Sequence, residues 1–184
     1  FIRSTVEPRL RELGITNIRY DQMHNIIATY GKNCFDMSLM LISNAMNQPQ
    51  STMANAYDGD VVDGESYGLP GEVVLGKGAS EQKGTMAAML HAMEVIIASQ
   101  LPINGQLIFL CCVSGETGRH DAITSVVEGE GVRADMALLG GTSLKLTLGN
   151  RGRIDTFLTI KGVPGHSSAP NKACNAITGA LEII

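Results

Sequence analysis

Gly76-Lys77-Gly78-Ala79-Ser80-Glu81-Gln82-Lys83-Gly84, running directly into Thr85-Met86-Ala87-Ala88-Met89-Leu90, is the stretch around which the chain is organised. Glycines at 76, 78 and 84 make a tight turn, because glycine reaches backbone angles closed to other residues. Met86, Met89/Leu90, Met93 and Ile96/Ile97 then recur at helical spacing and predict an amphipathic helix with a buried stripe. The carboxylate of Glu81 therefore stands on the loop that opens a helix. An acid there either favours the positive helix end or lies on a strand-to-helix loop, where α/β proteins put their chemistry.

Outward from this turn the chain alternates. Phe1 to Leu13 reads as a helix closed by Gly14. Asn17–Tyr20 and Asn25–Tyr30 read as two strands around a polar turn. Ser38–Ser43 and Gln106–Val113 are continuous apolar runs of strand length, the pattern of strands buried on both faces. Ala122–Gly129 predicts a helix and Ala134–Leu139 a third apolar strand. Asn44 to Gly71 is polar and carries the turn markers Pro49, Asp58-Gly59, Asp63-Gly64 and Pro70-Gly71, so a long irregular excursion is expected. Strand and helix in alternation predict an α/β fold: a mostly parallel central sheet with helices on both faces. Beyond Leu144 the pattern becomes alternating (Leu144, Leu146, Leu148, then Ile154, Thr156, Leu158), which suggests antiparallel strands with one covered face. The expected division is therefore 1–149 for the α/β domain and 150–184 for the start of a smaller α+β lid domain.

Composition bounds the function. At 184 residues with 44% hydrophobic and only 4% aromatic content, the core must be aliphatic, with nine methionines as filler. A net charge of −4 offers no attraction to nucleic acid or an anionic membrane surface. No apolar run approaches the roughly 20 residues that span a bilayer. Cys34, Cys111, Cys112 and Cys174 show no CxxC spacing and read as reduced thiols, Cys111 and Cys112 pointing to opposite sheet faces, which suits a cytoplasmic protein. The chain opens and closes inside helical pattern, as a piece of a longer protein would.

In a parallel sheet the loops after Ser43, Val113 and Leu139 leave neighbouring carboxyl ends and converge with the Glu81 turn on one crevice. Glu81 and Glu116 would share it, and two convergent carboxylates can bind a divalent cation. Glu116 has a second reading, as a cap for the helix that follows. His120 and Asp121 read as a surface pair or as recruits from the same loop, and His24 and His91 as solvated. Ser114 lacks a nucleophile-elbow Gly-x-Ser-x-Gly, and Gly76–Lys83 lacks the Walker spacing, so serine hydrolase and phosphate-loop chemistry are disfavoured.

The Gly76–Gly84 motif resembles the bridging-metal loop of the co-catalytic zinc metallopeptidases and amidohydrolases, the family of aminoacylase, acetylornithine deacetylase, succinyl-diaminopimelate desuccinylase and the glutamate carboxypeptidases. Val113–Gly118 resembles that family's strand-end acidic pair. Asn150-Arg151-Gly152-Arg153, Gly162–Pro170 and Asn175-Ala176-Ile177 resemble the opening of its lid. The resemblance implies a zinc-exopeptidase-like fold, a divalent metal, a small N-acylated amino acid or peptide as substrate, and homodimerisation through the lid. It assigns Glu81 and Glu116 to metal, Glu116 and His166 to catalysis, and His166, Arg151, Arg153 and Asn175 to substrate. Arg153 could instead pair with Asp155, and Asn175 could cap the last helix.

The pattern departs from the family at its centre. Asn44 and Met46 stand where the His-x-Asp of the first metal ligand belongs, and an amide is a poor zinc ligand. Gly115 stands at the general base, and Gly140 or Gly141 at a further acidic ligand. Loss of the base alone costs roughly 10²–10⁴-fold in rate. The resemblance therefore leaves two readings: an amide hydrolase with a remodelled site, or a catalytically silent relative.

Overall fold

The computed structural model describes residues 1–32, 37–45, 52–115, 120–141, 145–149, 152 and 154–183. The chain forms two compact units, Phe1–Leu144 and Lys145–Ile184.

The first unit is built on a five-stranded sheet ordered β1 (Asn17–Tyr20), β2 (Ile26–Gly31), β6 (Gln106–Cys112), β3 (Ser38–Asn44), β7 (Met136–Leu139). A separate hairpin pairs β4 (Asp60–Asp63) with β5 (Glu72–Leu75). β3 runs parallel to both β6 and β7, whereas β2 is antiparallel to β1 and to β6. The sheet is thus mixed, and its parallel part is the trio β6-β3-β7, with the expected central strand in the middle.

Alternation along these strands explains the two cores. Leu107, Phe109 and Cys111 join Ile26, Ala28 and Leu41 on one face, against Val6 and Leu10 of the first helical segment and Met86, Met89 and Met93 of α2 (Gly84–Ala98). That first segment is a π-type turn, Ile2–Val6, continued by α1 (Glu7–Glu12) and closed by Gly14 at φ +83°. Ile108, Leu110 and Cys112 join Ile27 and Met40 on the other face. There they meet Ala122 of α3 (Asp121–Thr124) and Val126 of the turn Ser125–Gly129 that extends it. Helices therefore cover both faces, as a sheet with apolar residues on both sides requires. Both thiols are buried, and burial pushes Cys111 up to about 11 and Cys112 to about 12.

Two expectations are corrected. The excursion from Asn44 to Gly71 is not irregular throughout: its later half forms β4 and the 3-10 turn Gly64–Tyr67. Asp63 Oδ1 accepts the Glu65 N–H at 3.1 Å and Gly64 N–H donates to Gly71 O at 2.7 Å, so the predicted turn residues close a hairpin. A four-residue strand, Asp-Val-Val-Asp, is too short to display periodicity. Conversely, the described residues of 145–162 form no strand, despite their alternation. A strand needs a hydrogen-bonded neighbour, and none of the described residues supplies one there.

The second unit contains one isolated antiparallel bridge among its described residues, Val163 to Cys174, with reciprocal N–H···O bonds of 2.9 Å. It ties off the loop that carries His166. Asn175 and α4 (Ala176–Leu181) follow. Leu148 (95%), Ile154 (93%) and Phe157 (93%) are almost wholly exposed.

Candidate active site

The connections after β3 and after β6 leave the sheet for opposite faces, since α2 lies on one side and α3 on the other. In α/β sheets this reversal opens a crevice at the carboxyl ends of the two strands. Asn44 ends β3 on one side of it. Ser114-Gly115 leaves β6 on the other, with Ala45 N–H donating to Cys112 O at 2.7 Å across the gap. The third wall is the turn Ala79–Lys83, which packs against β3 and bears Glu81. The fourth is Gly140-Gly141, held by Gly140 N–H donating to Ile42 O at 2.8 Å.

Thr85, on the first turn of α2, keys the Glu81 turn to the end of β7. Its Oγ1 lies 2.9 Å from Gly141 O and 3.3 Å from Glu81 O, so its single proton serves one carbonyl or the other. The loop ends at Asn44, Gly115 and Gly140 therefore meet the turn that bears Glu81, while the expected pairing of Glu81 with Glu116 lies outside the described residues. Glu81 itself is exposed on its turn.

The glycines of this crevice are filled spaces. A Cβ on Gly115 would stand 2.4 Å from the Cγ and Nδ2 of Asn44 and 2.7 Å from its Oδ1. A Cβ on Gly140 would stand 2.7 Å from Thr85 Cγ2. Gly141, by contrast, has open space around it. Where the resemblance implies a general base, the side chain of Asn44 lies over bare backbone.

Among the described residues no group of three or more His, Cys, Asp and Glu side chains lies close enough to hold a metal ion. Of the implied positions, Asn44 offers an amide, Gly115 and Gly140 offer nothing, and Glu81 offers one carboxylate. These residues do not fit a paired-zinc centre, which needs several nitrogen, sulfur or carboxylate donors per ion. Glu116, Met46, Arg151 and Arg153 lie outside the described residues.

His120 takes a left-handed φ of 57° just ahead of α3, and both it and Asp121 are exposed. His24 is exposed, and so is His91, whose Nδ1 lies 3.1 Å from Glu94 Oε2, consistent with solvated faces.

In the second unit His166 Nδ1 accepts the backbone N–H of Ser168 at 3.2 Å and lies 2.8 Å from Ser168 Oγ. A backbone N–H can only donate, so the neutral ring carries its proton on Nε2, which leaves Nε2–H as an outward donor. Asn175 Oδ1 accepts the Ile177 N–H at 2.9 Å and caps α4, the alternative role the sequence allowed it.

Sequence reasoning missed Asn25. It is fully buried at the turn between β1 and β2, and its carboxamide reaches Val113, two residues before Gly115. Only the polar turn, Asp21-Gln22-Met23-His24-Asn25, hinted at it.

Comparison with known proteins shows what the chain is similar to. Residues 148–184 match the peptidase dimerisation domain of M20 peptidases. Succinyl-diaminopimelate desuccinylase 2 of Ruegeria sp. is 32% identical, over 61% of this chain and 30% of its own length. The succinyl-diaminopimelate desuccinylase of Xanthomonas euvesicatoria is 28% identical, over 95% of this chain and 48% of its own. The chain thus spans half or less of the length of these curated relatives. In fold it is similar to a tripeptidase from Staphylococcus aureus (TM-score 0.61, 20% identity, 98% of this chain and 49% of that one). Human carnosine dipeptidase 1 is likewise similar (TM-score 0.59, 18% identity, 75% and 31%).

Proposed function

Taking as premise that the chain is a relative of the M20 metallopeptidases and amidohydrolases in sequence and fold, we propose that the protein to which it belongs hydrolyses the amide bond of a small N-acylated amino acid or peptide. The observation that carries this reading is the crevice: four chain segments, remote in sequence, meet at the carboxyl edge of the parallel strands, one of them the turn that bears Glu81. The parallel trio β6-β3-β7 positions such loops.

Glu81 and Glu116 are the two anions the pattern leaves for a single divalent cation, and Glu116 is the candidate for proton transfer. His166, with Nδ1 engaged by Ser168 and a proton on Nε2, is the candidate for hydrogen bonding to the scissile carbonyl oxygen. As charge develops on that oxygen, a fixed donor gains more than it does in the ground state. Arg151 and Arg153 are candidates for the substrate carboxylate, which a guanidinium binds in a bidentate fork. Asn175 is a weaker candidate, because its side-chain oxygen serves the cap of α4. Homodimerisation through residues 145–184 fits the dimerisation-domain match and the exposed Leu148, Ile154 and Phe157.

A catalytically silent relative is the second reading. One observation favours it: Asn44 fills the space over Gly115, and Thr85 that over Gly140. Metal analysis of the purified full-length protein, with a chelator-controlled assay on N-acyl amino acids and dipeptides, separates the two. Stoichiometric metal with chelator-sensitive turnover supports the hydrolase. A metal-free, inactive protein refutes it and leaves the silent reading. Within the first outcome, Glu116→Ala is expected to lower metal occupancy, and unchanged occupancy removes Glu116 from the ligand set.

A further inference from the structure

The loop that carries Gly115 and Glu116 is anchored from beneath. Asn25, 0% exposed, accepts the Val113 N–H on Oδ1 at 2.9 Å. Its Nδ2 donates to Ala122 O at 2.9 Å and to Asp21 Oδ2 at 2.6 Å. Val113 is the last residue before the loop, and Ala122 lies in the first turn of α3 immediately after it. One planar amide therefore ties Val113 to the first turn of α3.

The amide is itself oriented. Asp21, 5% exposed, accepts the N–H groups of Met23 (3.0 Å) and Asn25 (2.8 Å) on Oδ1, which leaves Oδ2 for the Asn25 amide. Asn25 Oδ1 must then face Val113, since both amide protons are taken. His24 adopts its left-handed φ of 65° between them, which turns the chain inward at Asn25. A burial this complete costs stability unless every polar atom is paired, and here every polar atom is.

We propose that Asn25, oriented by Asp21, is a positioning residue for the crevice: it holds Val113 against the first turn of α3 and thereby fixes how Gly115 seats against Asn44. The functional part of this inference rests on the hydrolase reading; the geometric part does not.

The test compares Asn25→Asp with Val126→Ala in the full-length protein. Asn25→Asp is isosteric, keeps an acceptor for Val113 and replaces the two amide donors to Ala122 and Asp21 by at most one carboxyl O–H. Val126→Ala opens a cavity in the core on the same face, leaves the Asn25 hydrogen bonds in place, and controls for lost stability. Hydrogen exchange read by mass spectrometry is expected to rise at least tenfold over residues 113–122 in Asn25→Asp, with α1 and β1 unchanged. If the wild type hydrolyses N-acyl amino acids or dipeptides, kcat is expected to fall at least tenfold in Asn25→Asp with KM within threefold. Val126→Ala should keep kcat within twofold. Equal kcat in the two variants, or exchange that rises uniformly or not at all, overturns the proposal. An inactive wild type refutes the hydrolase reading alone, and the exchange pattern still decides the positioning. Should Asn25→Asp fail to fold, Asp21→Asn carries the same readouts.

Discussion

Gly140→Ala tests whether the crevice is as crowded as it looks. A methyl group there would stand 2.7 Å from Thr85 Cγ2, 3.1 Å from Thr85 Cβ and 3.4 Å from Ile42 O. Carbon atoms in contact prefer about 3.5–4.0 Å, so the overlap with Thr85 approaches 1 Å. Thr85 cannot swing aside freely, because its hydroxyl is held 2.9 Å from Gly141 O. Rotation forfeits that hydrogen bond, worth about 1 kcal/mol, and still leaves Thr85 Cβ at 3.1 Å, so it does not relieve the crowding by itself. Backbone displacement instead carries an overpacking cost of about 1–3 kcal/mol. Alanine restricts the unfolded chain and returns about 0.4–1 kcal/mol. The expected net loss is about 1–2 kcal/mol, read by urea denaturation. In a Thr85→Ser background the offending methyl is gone and the hydroxyl kept, so the same change should cost about 1 kcal/mol less, a coupling within the usual range for touching residues. A loss below about 0.3 kcal/mol, or an equal loss in both backgrounds, refutes the steric account of this wall.

Gly141 has no neighbour within 4 Å of an added Cβ, so Gly141→Asp should change stability by less than about 0.5 kcal/mol; a urea titration that shows more shows the site to be tighter than its geometry. The thiols of Cys111 and Cys112 are raised to about 11 and about 12 by burial. Among the described cysteines only exposed Cys174 should therefore react with a thiol reagent at pH 8 in the folded state. Because these folded values lie above the unfolded one, their contribution is complete below about pH 9 and is lost as pH rises from there towards about 11, on the order of 2 kcal/mol for Cys111 by then. Thermal unfolding across that range checks it, and the Cys111→Ala variant should show a shallower decline. Phe109→Ala, at a wholly buried side chain of the central core, should cost about 3–5 kcal/mol in a urea titration. His24→Gly should be neutral or stabilising by up to about 1 kcal/mol by the same measurement, because glycine adopts its φ of 65° without strain.

The frame of this protein was written in local pattern. Ser38–Ser43 and Gln106–Val113 announce buried strands because both their faces are apolar, and a strand apolar on both faces has to be interior. Methionines at 86, 89 and 93 announce the face of α2 because helical geometry repeats every three to four residues. Glycines 76, 78 and 84 mark the turn of Glu81, and the family resemblance followed from that motif and from the Val113–Gly118 and lid segments. The hairpin β4–β5 and the fate of residues 145–162 were not legible. Pairing is a property of two segments at once, and a single alternating run does not name its neighbour.

The crevice itself divides in the same way. Residue identity told that Asn44, Gly115 and Gly140 depart from a metal-binding pattern, since an amide and two bare backbones are poor donors wherever they fall. Only the tertiary structure decided that the Asn44 carboxamide lies over Gly115, that Thr85 lies over Gly140 while Gly141 stays open, and that Asn25 ties Val113 to the first turn of α3. Those are contacts between residues 71, 55 and 88 positions apart in the chain, set by where the sheet and its helices bring backbone together. No short-range pattern encodes them, because side chains acquire such neighbours only when the whole sheet has formed.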